Sequence, residues 1–201
     1  MRKIVGQDRR REELSDAVLS LVATTGIGGV TLRSVAKESG WSTGVIGHYF
    51  RNRHDMLLSA LRRAAVLQGE YFTRTKEEGG TPMQRVRNLL LDVLPLDERR
   101  MALSHIFLFF YAEGAQDEVS RQEMSRYLQN WRRAVARALT AAVEEGELAP
   151  DTDVEAKAMY LVACTDGLSN HAVLDPEILQ RIRDDPDAVV DGFVRASMDL
   201  V

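Results

Sequence analysis

The chain has 201 residues, of which 45% are hydrophobic and 28% are charged, and its formal net charge is −4. These values are ordinary for a globular protein that is long enough to bury a core. No apolar run approaches the roughly 20 residues that a helix needs to span a bilayer, so the composition excludes a membrane-spanning protein and we expect no membrane partner.

The cysteine content and the N-terminal residues narrow the class further. Cys164 is the single cysteine, which excludes an internal disulfide. No Cys/His cluster has the spacing of a zinc site. The N-terminal segment MRKIVGQD carries charge without an apolar core behind it, which predicts that it is not a signal peptide. We therefore expect a cytoplasmic protein with no metal and no cofactor.

Charge is unevenly distributed along the chain. Residues 1–63 hold 11 Lys and Arg against 6 Asp and Glu, whereas residues 64–201 hold 15 against 24. A basic N-terminal part joined to an acidic remainder suits a protein that presents one end to a polyanion, although a basic patch is more often a solvated face.

The first three helices form a recognisable motif. Helical periodicity dominates the sequence, and the first helix ends at the glycines of residues 26–29. Thr31 is expected to cap a second short helix, Gly40 to form a left-handed turn, and Ser42 to cap a third helix. Two short helices around a tight glycine turn are typical of a helix-turn-helix, whose second helix lies in the major groove of DNA.

Six further helices are predicted after this motif. Capping residues, prolines and glycines place them at about 52–77, 83–94, from 97 onward, 117–145, 153–174 and 185–199. Asn52 is expected to cap the first of them, with Asp55 returning a hydrogen bond. Pro176 is read as part of a loop. The fold class is therefore all-α, with about nine helices and a three-helix head at the N-terminus.

The residues of the head follow a known pattern: Thr31-Leu32, Val35-Ala36, Gly40, Ser42, His48-Tyr49-Phe50, Asn52-Arg53 and Asp55-Met56-Leu57-Leu58. Over residues 9–63 the chain resembles the TetR family of bacterial one-component regulators. Residues 42–50 and the segment 144–168 are similar to the BetI-type branch of that family.

This resemblance implies a function and a division into domains. It implies a transcriptional repressor, not an enzyme, that binds double-stranded operator DNA as a homodimer and releases it when a small molecule binds. Residues 1–51 would be the DNA-binding domain. Residues 52–201 would be the ligand-binding and dimerisation domain, and the helix that begins near Asn52 would connect the two.

Two residues depart from the family pattern. Arg53 stands where the family usually has lysine, which keeps a phosphate-binding cation but alters its geometry. Trp41 stands where the family usually has a small aliphatic residue. Either its ring overfills the small core of the head, or the ring turns outward towards the DNA backbone.

The resemblance also assigns DNA contacts to the head. Side chains of the third helix that point away from the core are expected at base edges: Thr43, Gly44, Gly47 and His48. Hydrogen-bond donors at the edges of the motif are expected at phosphates: Thr31, Arg33, Ser42, Tyr49 and Arg53. Two glycines in one short helix favour a packing or contact reason over tolerated weakness. Residues 9–11, three consecutive arginines, are either a flexible basic arm or a solvated face.

A ligand pocket is expected among aromatic and polar residues of the C-terminal part. The candidates are Gln68, Phe72, Phe107, Phe110, Tyr111, Trp131, Asp166 and Asn170. Aromatic rings with a carboxylate would suit a quaternary ammonium or another cation. For any single one of these residues, however, a place in the core is the more frequent role.

The last two long helices are expected to form the homodimer as a four-helix bundle. Small residues that allow close approach and apolar residues that supply area are the interface candidates: Ala156, Ala163, Cys164, Gly167, Val189, Val190, Phe193 and Val194.

Two other classes of function were weighed. An enzyme is disfavoured because the sequence has no glycine-rich phosphate loop, no nucleophile elbow and no metal cluster. A DNA-binding protein whose C-terminal domain holds a protein partner stays open. A closed pocket with convergent polar groups would favour the ligand-responsive regulator over that alternative.

Overall fold

The computed structural model describes residues 2–77 and 80–198. Within these ranges the chain forms ten α-helices and one 3₁₀ turn, with no strand. The α-helices are α1 (Arg2–Thr25), α2 (Leu32–Ser39), α3 (Thr43–Tyr49), α4 (Arg53–Glu77), α5 (Pro82–Val93), α6 (Glu98–Glu113), α7 (Glu118–Glu144), α8 (Val154–Leu174), α9 (Pro176–Asp184) and α10 (Pro186–Met198), and the 3₁₀ turn is Ile27–Gly29. The all-α prediction is confirmed.

Local capping chemistry explains the helix-turn-helix. The Thr31 hydroxyl accepts a hydrogen bond from the backbone N–H of Ser34 at 3.0 Å, and the Ser34 hydroxyl accepts one from the N–H of Thr31 at 2.8 Å. The Ser42 hydroxyl accepts from the N–H of Val45 at 3.3 Å. Gly40 has a φ of 73°, the left-handed conformation in which a Cβ is strained. All three residues predicted to set this motif therefore do so.

Helix α9 is a correction, because the residues around Pro176 were predicted to be a loop. The Asp175 carboxylate accepts hydrogen bonds from the backbone N–H groups of Glu177, at 2.9 Å, and Ile178, at 3.4 Å. Pro176 occupies the first helical turn, where its missing N–H is not needed. The Asp-Pro signal that correctly predicted α10 was thus also present here.

The start of α4 also differs from expectation. The Asn52 side chain caps it as predicted, accepting from the N–H of Asp55 at 2.8 Å. The Asp55 carboxylate accepts from the backbone N–H of Arg51, at 3.1 Å, and from the Arg11 guanidinium, at 3.2 Å. The expected reciprocal bond from Asp55 to the cap residue is therefore replaced by two others.

The chain divides into two compact units. The first unit comprises residues 1–67 and 97–124, and the second comprises residues 68–96 and 125–201. Helices α4 and α7 therefore contribute residues to both units. These units reflect packing, and the functional division into residues 1–51 and 52–201 stays a prediction.

Each unit has a core of its own. In the first unit α1 contacts α2 and α6, and α2 contacts α3. Its fully buried apolar side chains include Leu14, Val18, Val22, Val35, Ile46, Met56, Ile106 and Phe110. In the second unit α8 contacts α5, α9 and α10. Its core includes Leu90, Trp131, Val135, Leu139, Leu161 and Val190.

No helix in the described part of the chain is both long enough and apolar enough to cross a membrane.

Candidate functional site

Helix α3 presents one face outward. Ile46 is fully buried and Phe50, directly after the helix, is 2% exposed, so this side of α3 packs into the first unit. The four residues predicted to face base edges are exposed on the other side: Thr43, Gly44, Gly47 and His48. The amphipathic spacing of the sequence thus places all four on the outer surface of the motif.

The two glycines of α3 are not required by packing within the chain. A Cβ added at Gly47 would meet no atom within 4 Å, and one added at Gly44 would meet only the Ser42 hydroxyl, at 3.8 Å. Glycine in a helix costs about 1 kcal/mol relative to alanine. Packing within the chain therefore does not explain the two glycines. The remaining explanations are contact with a partner and a tolerated weakness of the helix.

The residues predicted at phosphates lie in different settings. Thr31, Arg33 and Ser42 are exposed, whereas Tyr49 is half-buried. The Arg53 side chain is already engaged: its Nε donates to the carbonyl of Val30 at 2.9 Å, and a second guanidinium nitrogen donates to the carbonyl of Ile27. Arg53 therefore holds the end of the 3₁₀ turn, a structural role that its sequence position did not reveal.

Trp41 satisfies neither of the two interpretations fully. Its ring is half-buried, and the guanidinium carbon of Arg10 lies 4.5 Å from the ring centroid. An arginine over an indole face is stabilised by the ring quadrupole. The ring is therefore covered by a cation of the same chain and does not fill the core.

Arg11 is a residue that sequence reasoning missed. Residues 9–11 lie within α1, so they are not a flexible arm. The Arg11 guanidinium donates to the carbonyl of Tyr49, to the Ser59 hydroxyl and to the Asp55 carboxylate, each at 3.2 Å. Ser59 in turn exchanges a 2.8 Å hydrogen bond with Ser15. The signal in the sequence was the position of Arg11 one turn before the buried face of α1.

A second polar cluster in the first unit surrounds His54, in the first turn of α4. Its Nε2 lies 3.3 Å from the Ser120 hydroxyl and 3.9 Å from the Glu113 carboxylate. The nearby Asp117 has a lowered pKa, chiefly because its carboxylate accepts hydrogen bonds from Ser120. The cluster ties α4 to the segment between α6 and α7 and leaves His54 a structural role.

The predicted ligand-pocket residues are divided between the units. Phe107, Phe110 and Tyr111 belong to the first unit, and the other five belong to the second. Phe107 and Phe110 are buried in the core of their unit. These two residues therefore have the core role that aromatic side chains more often have, and not a place at a pocket.

Among the predicted pocket residues of the second unit, Phe72 lines a cleft. This cleft has a volume of about 840 Å³ and is formed by α4, α5 and α7. The Phe72 ring stacks on that of Trp131, with centroids 4.7 Å apart. Gln68 is buried and donates to the carbonyl of Asp92 at 3.4 Å. Asp166 and Asn170 are half-buried on α8 and do not line this cleft.

Trp131 is fully buried, and its indole N–H has no hydrogen-bond partner among the described residues. A buried donor without an acceptor costs about 1–3 kcal/mol. Trp131 is therefore a core residue of the second unit.

The predicted dimer residues lie on α8 and α10. Seven of the eight are half-buried or exposed in the single chain: Ala156, Ala163, Cys164, Gly167, Val189, Phe193 and Val194. Val190 is fully buried and packs in the core of its own unit, so it has no surface to offer a second copy. Sequence reasoning missed Met159 and Leu174, which are 60% and 75% exposed on α8.

Comparison with known proteins identifies the family. Residues 82–197 match the family described as BetI-type transcriptional repressor, C-terminal. The regulator PksA of Bacillus subtilis (strain 168) is 28% identical over 186 residues, which cover 88% of this chain and 84% of PksA. The regulator BetI of Rhizobium meliloti (strain 1021) is 26% identical over 168 residues, which cover 84% of this chain and 80% of BetI.

Solved structures share the fold. A putative TetR-family regulator from Rhodococcus sp. has a TM-score of 0.76 at 23% identity, covering 96% of this chain and all of that one. A putative regulator from Saccharomonospora viridis in complex with choline has a TM-score of 0.75 at 21% identity, covering 89% and 95%. FadR from Bacillus subtilis, in complex with stearoyl-CoA, has a TM-score of 0.69 at 18% identity, covering 94% and 98%.

These relatives are transcriptional regulators and not enzymes, and the expected resemblance to the BetI-type branch is confirmed. Because the family match spans more than half of the chain, the protein belongs to the BetI-type family of transcriptional repressors, within the TetR fold.

Proposed function

We propose that two copies of this chain form a cytoplasmic repressor that binds operator DNA through α3 and releases it when a small molecule binds the C-terminal domain. The single observation that carries the proposal is the outer face of α3. That face is exposed and holds the residues expected at base edges. Packing within the chain does not require its two glycines.

The surroundings of α3 support DNA as the partner of this face. Residues 1–63 carry the excess of Lys and Arg, and Arg33 is exposed on α2, the first helix of the helix-turn-helix. Phosphate contacts from such residues release counterions, so binding should weaken steeply as salt rises. Bare glycines let the helix backbone approach the bases closely, which suits readout by shape.

A second copy is supported by the outer face of α8. Ala156, Ala163 and Gly167 are small, and Met159 and Leu174 expose apolar surface on the same helix. Small residues allow helices to pack closely, and exposed apolar residues gain by burial against a second copy. A two-fold dimer would place two reading helices about 34 Å apart, or at a multiple of that distance, to meet successive major grooves.

The coupling of ligand to DNA is proposed to run through α4. This helix continues without a break from Arg53 to Glu77 and contributes residues to both units. Its first turn is anchored in the first unit by Asn52, Asp55 and His54, and Phe72 lines the cleft of the second. A ligand that favours one tilt of a rigid helix would shift a two-state equilibrium by its differential affinity for the states.

The operator-binding test compares glycine variants. The operator is first isolated by selection from genomic fragments, and its affinity is then measured by fluorescence anisotropy. We expect Gly47→Ala to lower operator affinity about tenfold, the size of one lost base contact. Gly69→Ala is the matched control, because Gly69 is an exposed helical glycine on α4 whose added Cβ also meets no atom within 4 Å.

Both glycine variants should raise folding stability, so a loss of DNA binding in Gly47→Ala alone reports contact and not unfolding. Full operator affinity in Gly47→Ala together with an unchanged sequence preference in His48→Ala would contradict the assignment of α3 as the reading helix.

The dimer test uses Ala163→Arg, which places a charge on the outer face of α8. We expect this variant to sediment as a monomer at micromolar concentration and to lose operator binding. Thr140→Arg, at an exposed position of α7, is the matched control and should remain dimeric. A wild-type protein that sediments as a monomer would remove the dimer from the proposal.

A further inference from the structure

We propose that the cleft of the second unit binds a small amphipathic organic anion, with a carboxylate or phosphate group held by arginines and an apolar chain lying along α7. The inference rests on the proposed function, since it names the chemical class of the effector. It differs from the cation that the sequence suggested.

The charge on the cleft walls is of one sign. Arg85 from α5 and Arg133 and Arg137 from α7 line the cleft, and no Asp or Glu is among its lining residues in the described part of the chain. These three arginines lie in the part of the chain, residues 64–201, where acidic residues outnumber basic ones by 24 to 15. A concentrated positive wall in an otherwise acidic region favours an anionic ligand.

Arg85 is oriented before any ligand arrives. Its guanidinium donates to the carbonyl of Gly80 at 3.1 Å and lies 3.6 Å from the Glu145 carboxylate. Its side chain is 23% exposed. The two contacts fix the planar fork, so less conformational entropy is lost when its remaining N–H groups bind an anion.

Arg133 and Arg137 face the cleft together because they lie four residues apart on α7. Arg133 has a weak contact with the Asn130 amide oxygen at 3.4 Å. In the described part of the chain, Arg137 forms no ion pair or hydrogen bond. Like charges at this spacing on a helix repel each other. A bound anion would turn that repulsion into two charge-assisted contacts.

Apart from the polar side chains of Thr73 and Asn130, the rest of the cleft wall is apolar and consists mostly of small side chains. Ala134, Ala138 and Ala141 lie at helical spacing along α7, and Leu89 and Phe72 face the cleft from α5 and α4. Small alanines leave a groove along the helix that an alkyl chain or a flat ring can fill. Burying such a group stabilises the complex in proportion to the apolar area that is removed from water.

A quaternary ammonium ligand is disfavoured by the same residues. The sequence analysis expected the Asp166 carboxylate to bind a cation. Asp166 does not line this cleft, whereas three arginines do. Arg85 is paired with Glu145, but Arg133 and Arg137 form no ion pair within the described residues, so their charges would oppose the binding of a cation.

The test is a matched series of four probes with one alkyl chain: decanoate, decyl phosphate, decyltrimethylammonium and decanol. Trp41 and Trp131 are the two tryptophans of the chain. A Trp41→Phe background therefore leaves Trp131, which stacks on Phe72 at the cleft wall, as the fluorescent reporter. Calorimetry provides a second measure of affinity. We expect both anions to bind at least about tenfold more tightly than the cation and the alcohol, the size of one charge-assisted hydrogen bond.

Variants locate the site. Arg137→Gln and Arg133→Gln should each lower anion affinity about tenfold and leave decanol binding unchanged. Arg132→Gln is the matched control, since Arg132 lies on the same helix, carries the same charge and does not line the cleft. Thermal unfolding of each variant separates a lost contact from a lost fold.

The outcomes separate this inference from the proposed function. Equal binding of all four probes, preference for the cation, no binding at all, or anion binding that ignores Arg133 and Arg137 would each overturn the anion assignment while operator binding stands. Arginine-dependent anion binding that leaves operator affinity unchanged would uphold the cleft and overturn ligand-controlled release.

Discussion

The two compact units differ in how completely their buried polar side chains are hydrogen-bonded. In the first unit Arg11, Ser15, Asp55 and Ser59 form a connected network of hydrogen bonds. In the second, Trp131 and Ser169 hold the two buried side-chain polar atoms that lack a partner within the described residues. The second unit also has the arginine-lined cleft of about 840 Å³, and on α8 it has the two most exposed large apolar residues of the described chain, Met159 and Leu174.

This difference corresponds to a difference in task. A DNA-reading motif must keep one shape to match the fixed geometry of the major groove, and a fully satisfied polar network rigidifies a small unit. A unit that responds to a ligand and to a second copy must leave surface and hydrogen-bonding capacity open. We therefore expect substitutions in the Arg11 network to act through contacts within the first unit, and substitutions at the cleft and at the outer face of α8 to act on binding of a ligand or of a second copy.

The largest expected effect is at Trp131. Trp131→Ala should lower the free energy of unfolding by about 3–5 kcal/mol, because it empties a fully buried ring site in the second unit. Denaturant unfolding measures the change. Trp41→Ala, at the half-buried indole of the first unit, is the comparison and should be clearly milder. Trp131 was a ligand-pocket candidate in the sequence, and its full burial predicts that replacing it lowers the stability of the second unit.

Trp131→Phe refines the same comparison. It keeps most of the ring volume and removes the unpartnered N–H, so the free energy of unfolding should change little. A destabilisation as large as that of the alanine variant would show that this N–H has an acceptor, and the contrast between the units would then fail.

The next effect is at Arg11. Arg11→Ala removes three hydrogen bonds that link α1 to α4 and to the end of α3, and should lower the free energy of unfolding by about 2 kcal/mol. Arg9→Ala is the matched control: its exposed i,i+4 pair with Glu13 should contribute less than about 0.5 kcal/mol. Similar losses in chemical denaturation for both variants would show that the network contributes nothing beyond a surface ion pair.

A smaller effect should be equal in both units. Gly40 ends α2 with a φ of 73°, and Gly146 follows α7 with a φ of 78°. Alanine at either position should lower the free energy of unfolding by about 1 kcal/mol, because the left-handed backbone strains a Cβ. A pronounced difference between the two, measured by thermal unfolding, would mean that tertiary contacts and not the local backbone set the requirement for glycine.

The smallest effect concerns the cap of α6. Burial raises the pKa of Asp97, but hydrogen bonds from the Arg100 backbone and guanidinium outweigh it, and the net pKa is lowered from 3.8. The ionised form therefore stabilises the folded state above pH 3.8, and this contribution is lost as pH falls through the lower folded pKa.

Asp97→Asn keeps a capping side chain and removes the charge. The expected loss is less than about 0.5 kcal/mol at neutral pH, because the group is exposed to solvent, and it should vanish in acid. Urea unfolding across pH measures it. A loss that persists at low pH would assign the effect to cap geometry and not to ionisation.

The sequence by itself determined the elements whose cause is local. Thr31, Gly40 and Ser42 set the helix-turn-helix through their own caps and backbone conformation, so their roles could be read without knowing any distant contact. The same local chemistry, a capping aspartate followed by a proline, also occurs at Asp175-Pro176 and predicts the start of α9. The outward face of α3 followed from helical spacing alone.

Only the tertiary structure decided which residues face one another. The position of Arg11 one turn before the buried face of α1 distinguishes it from its neighbours, but its partner Asp55 lies far away in the sequence and could not be predicted. Val190 was expected on a dimer surface, because an apolar residue on an amphipathic helix can face either its own core or a partner. The arginines of the cleft could not be predicted as a group either. Arg85 and Arg137 lie on different helices, and only the packing of those helices brings residues so distant in sequence to one surface.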